Sequence, residues 1–293
     1  AFPVMIIYGL AVWLGAGTVA EGAYLQLAFF VASTLLMMML NNTNSLIRIY
    51  SRMVSCSFVA MTCAATFLFS SLESCATGMC FILFYLSLLR SYQDKRAPGI
   101  AFYSFACLGI ASLFFVQILY FVPFLWILMA SNMMALTHRM FWATVLGLVM
   151  PYWFAVGYYV VTNQFDAFID HFAELAQFEP LLQYEALDIH RIATFGLVVL
   201  LAVIGIIHYM RNSYQDKIRT RMIFEMFITV DILSFVFIIL QPQHFDNLLP
   251  IIIVNTSCLF AHYVALTRTW LTNVTFIVMC LATLGLTIFN LMP

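Results

Sequence analysis

The sequence predicts an all-α protein, a polytopic transmembrane helix bundle of about 10–11 spans. Hydrophobic residues make up 64% of the chain of 293 residues, charged residues make up 9%, and the mean hydropathy is +1.00. A soluble domain is normally about one-quarter charged, so lipid must be the solvent for most of this chain. The apolar runs lack the alternation of barrel strands, and in lipid each backbone group must bond internally, so the spans are predicted to be helices.

Eleven apolar runs, separated mostly by short polar gaps, are the predicted spans. They cover residues 3–20, 24–40, 53–71, 76–90, 100–116, 118–136, 140–162, 192–210, 220–240, 247–266 and 270–291.

The stretch 100–136 is nearly unbroken, and we divide it at Gln117. A single helix of that length would overshoot a bilayer, whose core accommodates about 20 helical residues. Counting the stretch as one span would also move every later basic gap to the opposite side of the membrane. The charge pattern therefore favours two spans.

Positive charges segregate to one side of the predicted bundle. All but one of the 12 Lys and Arg residues lie in alternate gaps between the runs, the exception being Arg191. Because cytoplasmic loops carry an excess of Lys and Arg, we predict that the basic gaps and the N-terminus are cytoplasmic. The basic gaps contain Arg48, Arg52, Arg90, Lys95, Arg96, Arg139, Arg211, Lys217, Arg219, Arg221 and Arg268.

The chain is predicted to form a single transmembrane domain over residues 1–293, with one long extracytoplasmic connection at about 163–191. Part of this connection has the pattern of an amphipathic helix lying on the membrane surface, although its polar face is acidic. The string of acids with His171 could suggest a metal site, but a solvated polar face explains it without a metal. The apolar face contains Phe165, Phe168, Ile169, Phe172, Leu175 and Ala176, and the acidic face contains Asp166, Asp170 and Glu174.

Asp231 lies near the middle of the ninth run, where a charge costs at least ~2.5–3.5 kcal/mol. Asn255 is expected at a similar depth on the tenth run, beside Thr256 and Ser257. Two hypotheses stay open. Asp231 and Asn255 form a closed hydrogen bond between neighbouring helices, or they mark a substrate or proton site in a polar cavity.

Arg48 and Arg52 are spaced i and i+4 in a gap that also contains Asn41, Asn42 and Asn44. Two guanidinium groups with nearby amides are suited to binding phosphate. Topology alone also demands cations in this gap, so both explanations stay open.

Glu21 and Glu73 each occupy a short outer gap and are weak candidates for a catalytic base. No zinc-protease, phosphate-loop, nucleophile-elbow or dinucleotide fingerprint is present, and we expect no cofactor. The formal net charge of −1 and the lack of a basic cluster give no reason to expect nucleic acid. The expected partners are the lipid bilayer and other membrane subunits.

The pentapeptide Ser-Tyr-Gln-Asp-Lys occurs twice, at residues 91–95 and 213–217, each time at a predicted cytoplasmic helix end. Copies on the same side exclude an inverted repeat. The match does not continue into the neighbouring spans, which favours coincidence over duplication.

Four stretches resemble a family of uncharacterised polytopic inner-membrane proteins of Bacteroidota, of about 300 residues and without an assigned activity. The likeness covers about residues 24–160 and implies a bacterial inner membrane, with no catalytic residue carried over. The stretches are Asn41-Asn42-Thr43-Asn44 leading to Arg48, residues 88–93 (LLRSYQ), 108–115 (LGIASLFF) and 146–153 (LGLVMPYW).

A looser, fold-level likeness connects Glu21 and the turn at residues 109–113 (GIASL) to membrane glycosyltransferases that use polyprenyl-phosphate sugars. The sequence departs from those enzymes, which usually have a long first outer loop with essential acids and often a soluble C-terminal domain.

Three functions follow as hypotheses. The sequence favours a non-catalytic subunit or scaffold of a bacterial envelope-assembly or secretion complex. A transporter or lipid flippase with a polar site near Asp231 is the second, and a lipid-linked sugar transferase is the third.

Overall fold

The computed structural model describes residues 2–18, 22–176, 187–267 and 269–292. In these residues the chain is all-α, with no strand, which confirms the predicted fold class. The α-helices are α1 (Phe2–Gly15), α2 (Tyr24–Asn44), α3 (Met53–Ala64), α4 (Leu72–Leu88), α5 (Pro98–Phe114), α6 (Val122–Ser131), α7 (His138–Val161), α8 (Phe165–Ala176), α9 (Ile189–Asn212), α10 (Ile218–Leu240), α11 (Phe245–Leu266) and α12 (Trp270–Leu291).

Within the described ranges, seven helical segments are long and apolar enough to cross a membrane, so the chain is a multi-pass membrane protein. Shorter apolar helices occupy Phe2–Gly15, Met53–Ala64, Pro98–Phe114 and Val116–Ser131. Together these segments match the eleven predicted runs one for one. The long segments are Tyr24–Asn44, Leu72–Ser91, His138–Val161, Ile189–Gln215, Ile218–Leu240, Pro242–Leu266 and Thr272–Leu291.

The break predicted near Gln117 is confirmed. Helix α5 ends at Phe114, and Phe115 is extended, with φ −141° and ψ 92°. A 3₁₀ turn over Val116–Phe121 follows and leads into α6, whose first turn contains Pro123. Proline lacks a backbone N–H and is favoured in the first turn of a helix, where that N–H would have no partner, so Pro123 is suited to the beginning of α6.

The chain divides into two compact units. Unit 1 consists of Ala1–Gly78 and Gln183–Pro293, and unit 2 consists of Met79–Leu182. The prediction of a single domain stays a prediction.

In unit 1, α9 and α11 lie parallel and α10 runs antiparallel to both. Arg191 in the first turn of α9 pairs with Asp246 in the first turn of α11. The His208 ring near the end of α9 packs on Tyr263 near the end of α11. Gly205 allows the close approach, because a Cβ added there would lie 2.9 Å from the backbone of Leu259.

In unit 2, α5 and α7 also lie parallel and in very close contact. A Cβ added at Gly109 would lie 2.6 Å from the carbonyl oxygen of Leu148. A Cβ added at Gly147 would lie only 2.3 Å from the carbonyl oxygen of Phe102. Helices in lipid associate through such small-residue contacts, so the two glycines set the helix spacing.

Charge segregation holds within each unit. In unit 1, Arg219 Nη2 donates to Asn44 Oδ1 at 3.0 Å, which places the beginning of α10 beside the end of α2. Arg191 lies at the other end of the unit, with Asp246. In unit 2, the backbone N–H of Gln93 donates to the carbonyl of Met133 at 2.9 Å and joins the two basic turns. Which end faces the cytoplasm stays a prediction.

Helix α8 confirms the predicted amphipathic helix and packs at the end of unit 2 away from the basic turns. Phe168 and Phe172 contact the Tyr152 ring at centroid distances of 6.4 and 5.0 Å. His171 Nε2 hydrogen-bonds the carbonyl oxygen of Ser112 at 2.9 Å. Of the predicted apolar face, Phe165, Ile169 and Ala176 are exposed.

Replacing Gly147 with Leu is expected to destabilise unit 2 by roughly 1–3 kcal/mol or more, because backbone blocks the added side chain. Gly157 on the same helix is the matched control, since a Cβ there meets nothing within 4 Å. Thermal unfolding of the two purified variants in detergent measures the difference. Equal melting temperatures would contradict the close α5–α7 contact.

Candidate functional site

A polar cavity of about 420 Å³ opens at the Arg48 end of unit 1. We call it the basic cavity. Its walls are the loop between α2 and α3 and the turn between α9 and α10. The lining residues are Asn41, Asn42, Ser45, Leu46, Ile47, Arg48, Ile49, Tyr50, Ser51, Gln215, Asp216, Lys217 and Thr220.

Asn41 organises the α2–α3 loop from inside. Its buried side chain accepts a hydrogen bond from the backbone N–H of Ile47 at 3.3 Å and donates one to the carbonyl of Ser51 at 2.8 Å. Ser45 ends α2 in the left-handed region at φ 49°, with its N–H donating to the Asn41 carbonyl. Leu46 and Ile47 are buried, and the residue that follows them, Arg48, is exposed.

Two unpaired cations face this cavity. Neither Arg48 nor Lys217 forms a side-chain hydrogen bond or ion pair with the described residues, and both are exposed. Asp216 is the one acidic residue in the lining, and its Oδ2 hydrogen-bonds His262 Nε2 at 2.9 Å. That carboxylate is turned inward, since its side chain is only 3% exposed. The open face of the cavity is therefore cationic.

The structure separates the two predicted phosphate contacts. Arg48 lines the cavity, whereas Arg52 does not. The Arg52 guanidinium lies 5.3 Å from the centre of the Phe2 ring and donates to the Tyr50 hydroxyl at 3.3 Å. Lys217, and not Arg52, lines the cavity together with Arg48. The two are far apart in the sequence, so their spacing could not predict this pair.

Asp216 and His262 were not predicted as a pair. The only local signal is the pentapeptide that contains Asp216, and its other copy behaves differently. Asp94 is exposed and accepts a hydrogen bond from the backbone N–H of Arg96 at 2.8 Å. The sequence motif alone therefore does not specify the buried contact.

A second polar cavity, also of about 420 Å³, opens at the opposite end of unit 1. His190 lines it and hydrogen-bonds Asn290 Oδ1 through Nδ1 at 3.0 Å. Asn290 Nδ2 donates to the carbonyl of Ala64 at 2.6 Å and to Thr194 Oγ1 at 2.9 Å. Asn290 thus joins α3, α9 and α12, and Arg191 beside it is neutralised by Asp246 in two 2.9 Å hydrogen bonds.

Asp231 lies in neither cavity. It is fully buried in the middle of α10, and Thr256 Oγ1 donates to its carboxyl oxygens at 3.1 and 3.4 Å. Asn255, the expected partner, is also fully buried, and its Nδ2 donates to the carbonyl of Ile251 at 3.0 Å. A polar contact between α10 and α11 was predicted at this depth. The residue that donates to Asp231 is Thr256, which follows the predicted Asn255 in the chain.

The other predicted candidates do not come together. Glu73 is exposed in the first turn of α4, and Glu21 lies outside the described residues. Asp166, Asp170 and Glu174 are exposed along α8. Within the part of the chain that the structure describes, no three His, Cys, Asp or Glu side chains meet in a group able to hold a metal ion.

Comparison with known proteins returns no match: no protein-family model, curated protein or solved structure is detectably similar to the chain. The resemblance to a Bacteroidota family stays a prediction. Any function must be argued from the geometry of the two units.

Replacing Asp231 with Asn is expected to retain stability, because the amide oxygen still accepts from Thr256. Replacing it with Ala removes the acceptor and leaves a void, at a cost of roughly 1–3 kcal/mol. Chemical unfolding in detergent compares the two variants with the parent. Equal losses in both would contradict the view that Asp231 acts only as the acceptor for Thr256.

Proposed function

We propose that this protein binds a phosphate-bearing ligand in the basic cavity, at the cytoplasmic boundary of a bacterial inner membrane, as a transporter, flippase or lipid-linked sugar transferase of the cell envelope. One observation carries the proposal. Arg48 and Lys217 face the same cavity without a side-chain partner among the described residues, while the acid beside them, Asp216, is hydrogen-bonded to His262.

The donor set suits phosphate. An Arg guanidinium binds phosphate oxygens in a bidentate manner, and Lys contributes a compact positive charge. Asn42 and Ser45 add exposed polar groups to the same wall. The volume of about 420 Å³ falls in the range of small-molecule sites.

The position of the cavity favours a lipid phosphate over a free phosphate ion. Ile49 and Tyr50 line it and are 44% and 82% exposed, at the end of spans that cross the membrane. Exposed tyrosines are typical of the membrane–water interface, where a lipid head group would lie. Both sources share the phosphate chemistry that Arg48 and Lys217 recognise.

Binding of dihexanoyl phosphatidic acid to the purified protein in a non-ionic detergent tests the proposal. We expect Arg48→Gln and Lys217→Gln each to weaken binding about tenfold, since each removes a charged hydrogen-bond donor. Arg52→Gln is the matched control, because it removes a positive charge from the same loop outside the cavity. Isothermal titration calorimetry measures the three dissociation constants.

Two further ligands separate the sources of phosphate. Inorganic phosphate that binds as tightly as the lipid would indicate a soluble ligand. Dihexanoyl phosphatidylcholine, whose choline group neutralises the head group, is expected to bind more weakly. No phosphate binding in the parent protein, or equal losses in all three variants, would contradict the proposal.

The scaffold hypothesis remains as a second candidate, and one observation favours it. Only 22% of the most apolar stretch of α7 is buried, and the helix exposes four large aromatic side chains. Aromatic residues are enriched at protein interfaces. The four are Trp142, Trp153, Phe154 and Tyr158.

A photo-crosslinking residue at Trp153 tests the scaffold hypothesis in native membranes. We expect a discrete protein adduct there if α7 binds another membrane subunit. Leu281 on α12 is the control, since it is an apolar residue, 64% exposed, on a span that is buried to only 17%. Adducts at both positions, or lipid adducts alone, would contradict a specific partner on α7.

A further inference from the structure

Asp216 presents a physical problem for an anion site. Its carboxylate lines the same cavity as Arg48 and precedes Lys217 in the chain. A mobile carboxylate there would pair with either cation and compete with a phosphate group for it. In the structure Asp216 pairs with neither cation, because its Oδ2 is hydrogen-bonded to His262 Nε2 at 2.9 Å.

His262 is held firmly in its place near the end of α11. The residue is fully buried, and its ring packs against Phe224 at a centroid distance of 4.9 Å, His208 at 5.6 Å and Tyr209 at 5.8 Å. Its Nδ1 has no hydrogen-bond partner among the described residues. With the ring proton on Nε2, the imidazole therefore has one donor, and that donor is directed at Asp216.

We propose that His262 is a positioning residue that makes the basic cavity selective for anions by keeping the Asp216 carboxylate away from Arg48 and Lys217. This inference rests on the proposed function, since it explains how a cavity that includes an acid can accept phosphate. His262 itself touches no ligand. Its contribution is to restrain one oxygen of Asp216, which leaves both cations available.

A purely structural hydrogen bond makes a different prediction. If His262 serves stability alone, its removal lowers the melting temperature and leaves phosphate binding unchanged. If it positions Asp216, its removal weakens binding, and removal of the carboxylate in the same protein restores it. A double-mutant cycle separates the two explanations.

The experiment uses the full chain in detergent, with dihexanoyl phosphatidic acid as the probe and calorimetry as the readout. We expect His262→Leu to weaken binding about fivefold or more, because a freed carboxylate pairs with the cations. His262→Gln keeps a donor for Asp216 and is expected to bind like the parent. Asp216→Asn is expected to bind at least as tightly as the parent, since it removes a negative charge from the cavity.

The double variant His262→Leu with Asp216→Asn decides the matter. Restored binding supports the inference. Binding as weak as in His262→Leu alone, or no loss in that single variant, overturns it while the proposed function stands. If His262→Leu does not fold, Asp216→Asn alone still tests the inference, because weaker binding than in the parent contradicts it. Absence of phosphate binding in the parent protein overturns both.

Discussion

The cost of placing a charge in hydrocarbon determines where the polar groups of this protein lie. In unit 1 the cations of the α2–α3 loop and the α9–α10 turn share one end, and Arg191 at the other end is neutralised by Asp246. Asp231 is the exception, because it lies in the middle of α10. It is buried there and accepts a hydrogen bond from the Thr256 hydroxyl. The two polar cavities of unit 1 accordingly open at its two ends.

The local backbone decides which cations of the α2–α3 loop line the basic cavity. Arg48 and Arg52 lie in the same loop, yet the Asn41 side chain shapes that loop so that only Arg48 reaches the cavity. Arg52 lies over the Phe2 ring instead. The positive-inside pattern therefore predicts the side of the membrane, and the tertiary fold decides which of the two cations lines the cavity.

The sequence predicted the features that depend on solvent and on local pattern: the helical runs, a break near Gln117, which the structure places at Phe115, and the amphipathic helix α8. It did not predict contacts between residues distant in the chain. Asp216 and His262 are 46 residues apart, and the sequence around neither residue predicts a contact with the other. Asn255 was one residue from the correct donor, but one residue is about 100° around a helix, and only the packed structure fixes that rotation.

Helix α11 links these contacts, because it touches its neighbours at its beginning, middle and end. Asp246 binds Arg191 of α9, Thr256 binds Asp231 of α10, and His262 binds Asp216 in the turn that joins them. These three polar contacts fix the register of the helix together with its close apolar packing. A shift of one helical turn, about 5.4 Å, would break all three and would release the Asp216 carboxylate into the basic cavity. The register of a buried helix thus sets whether the Asp216 carboxylate is held away from the two cations of the basic cavity.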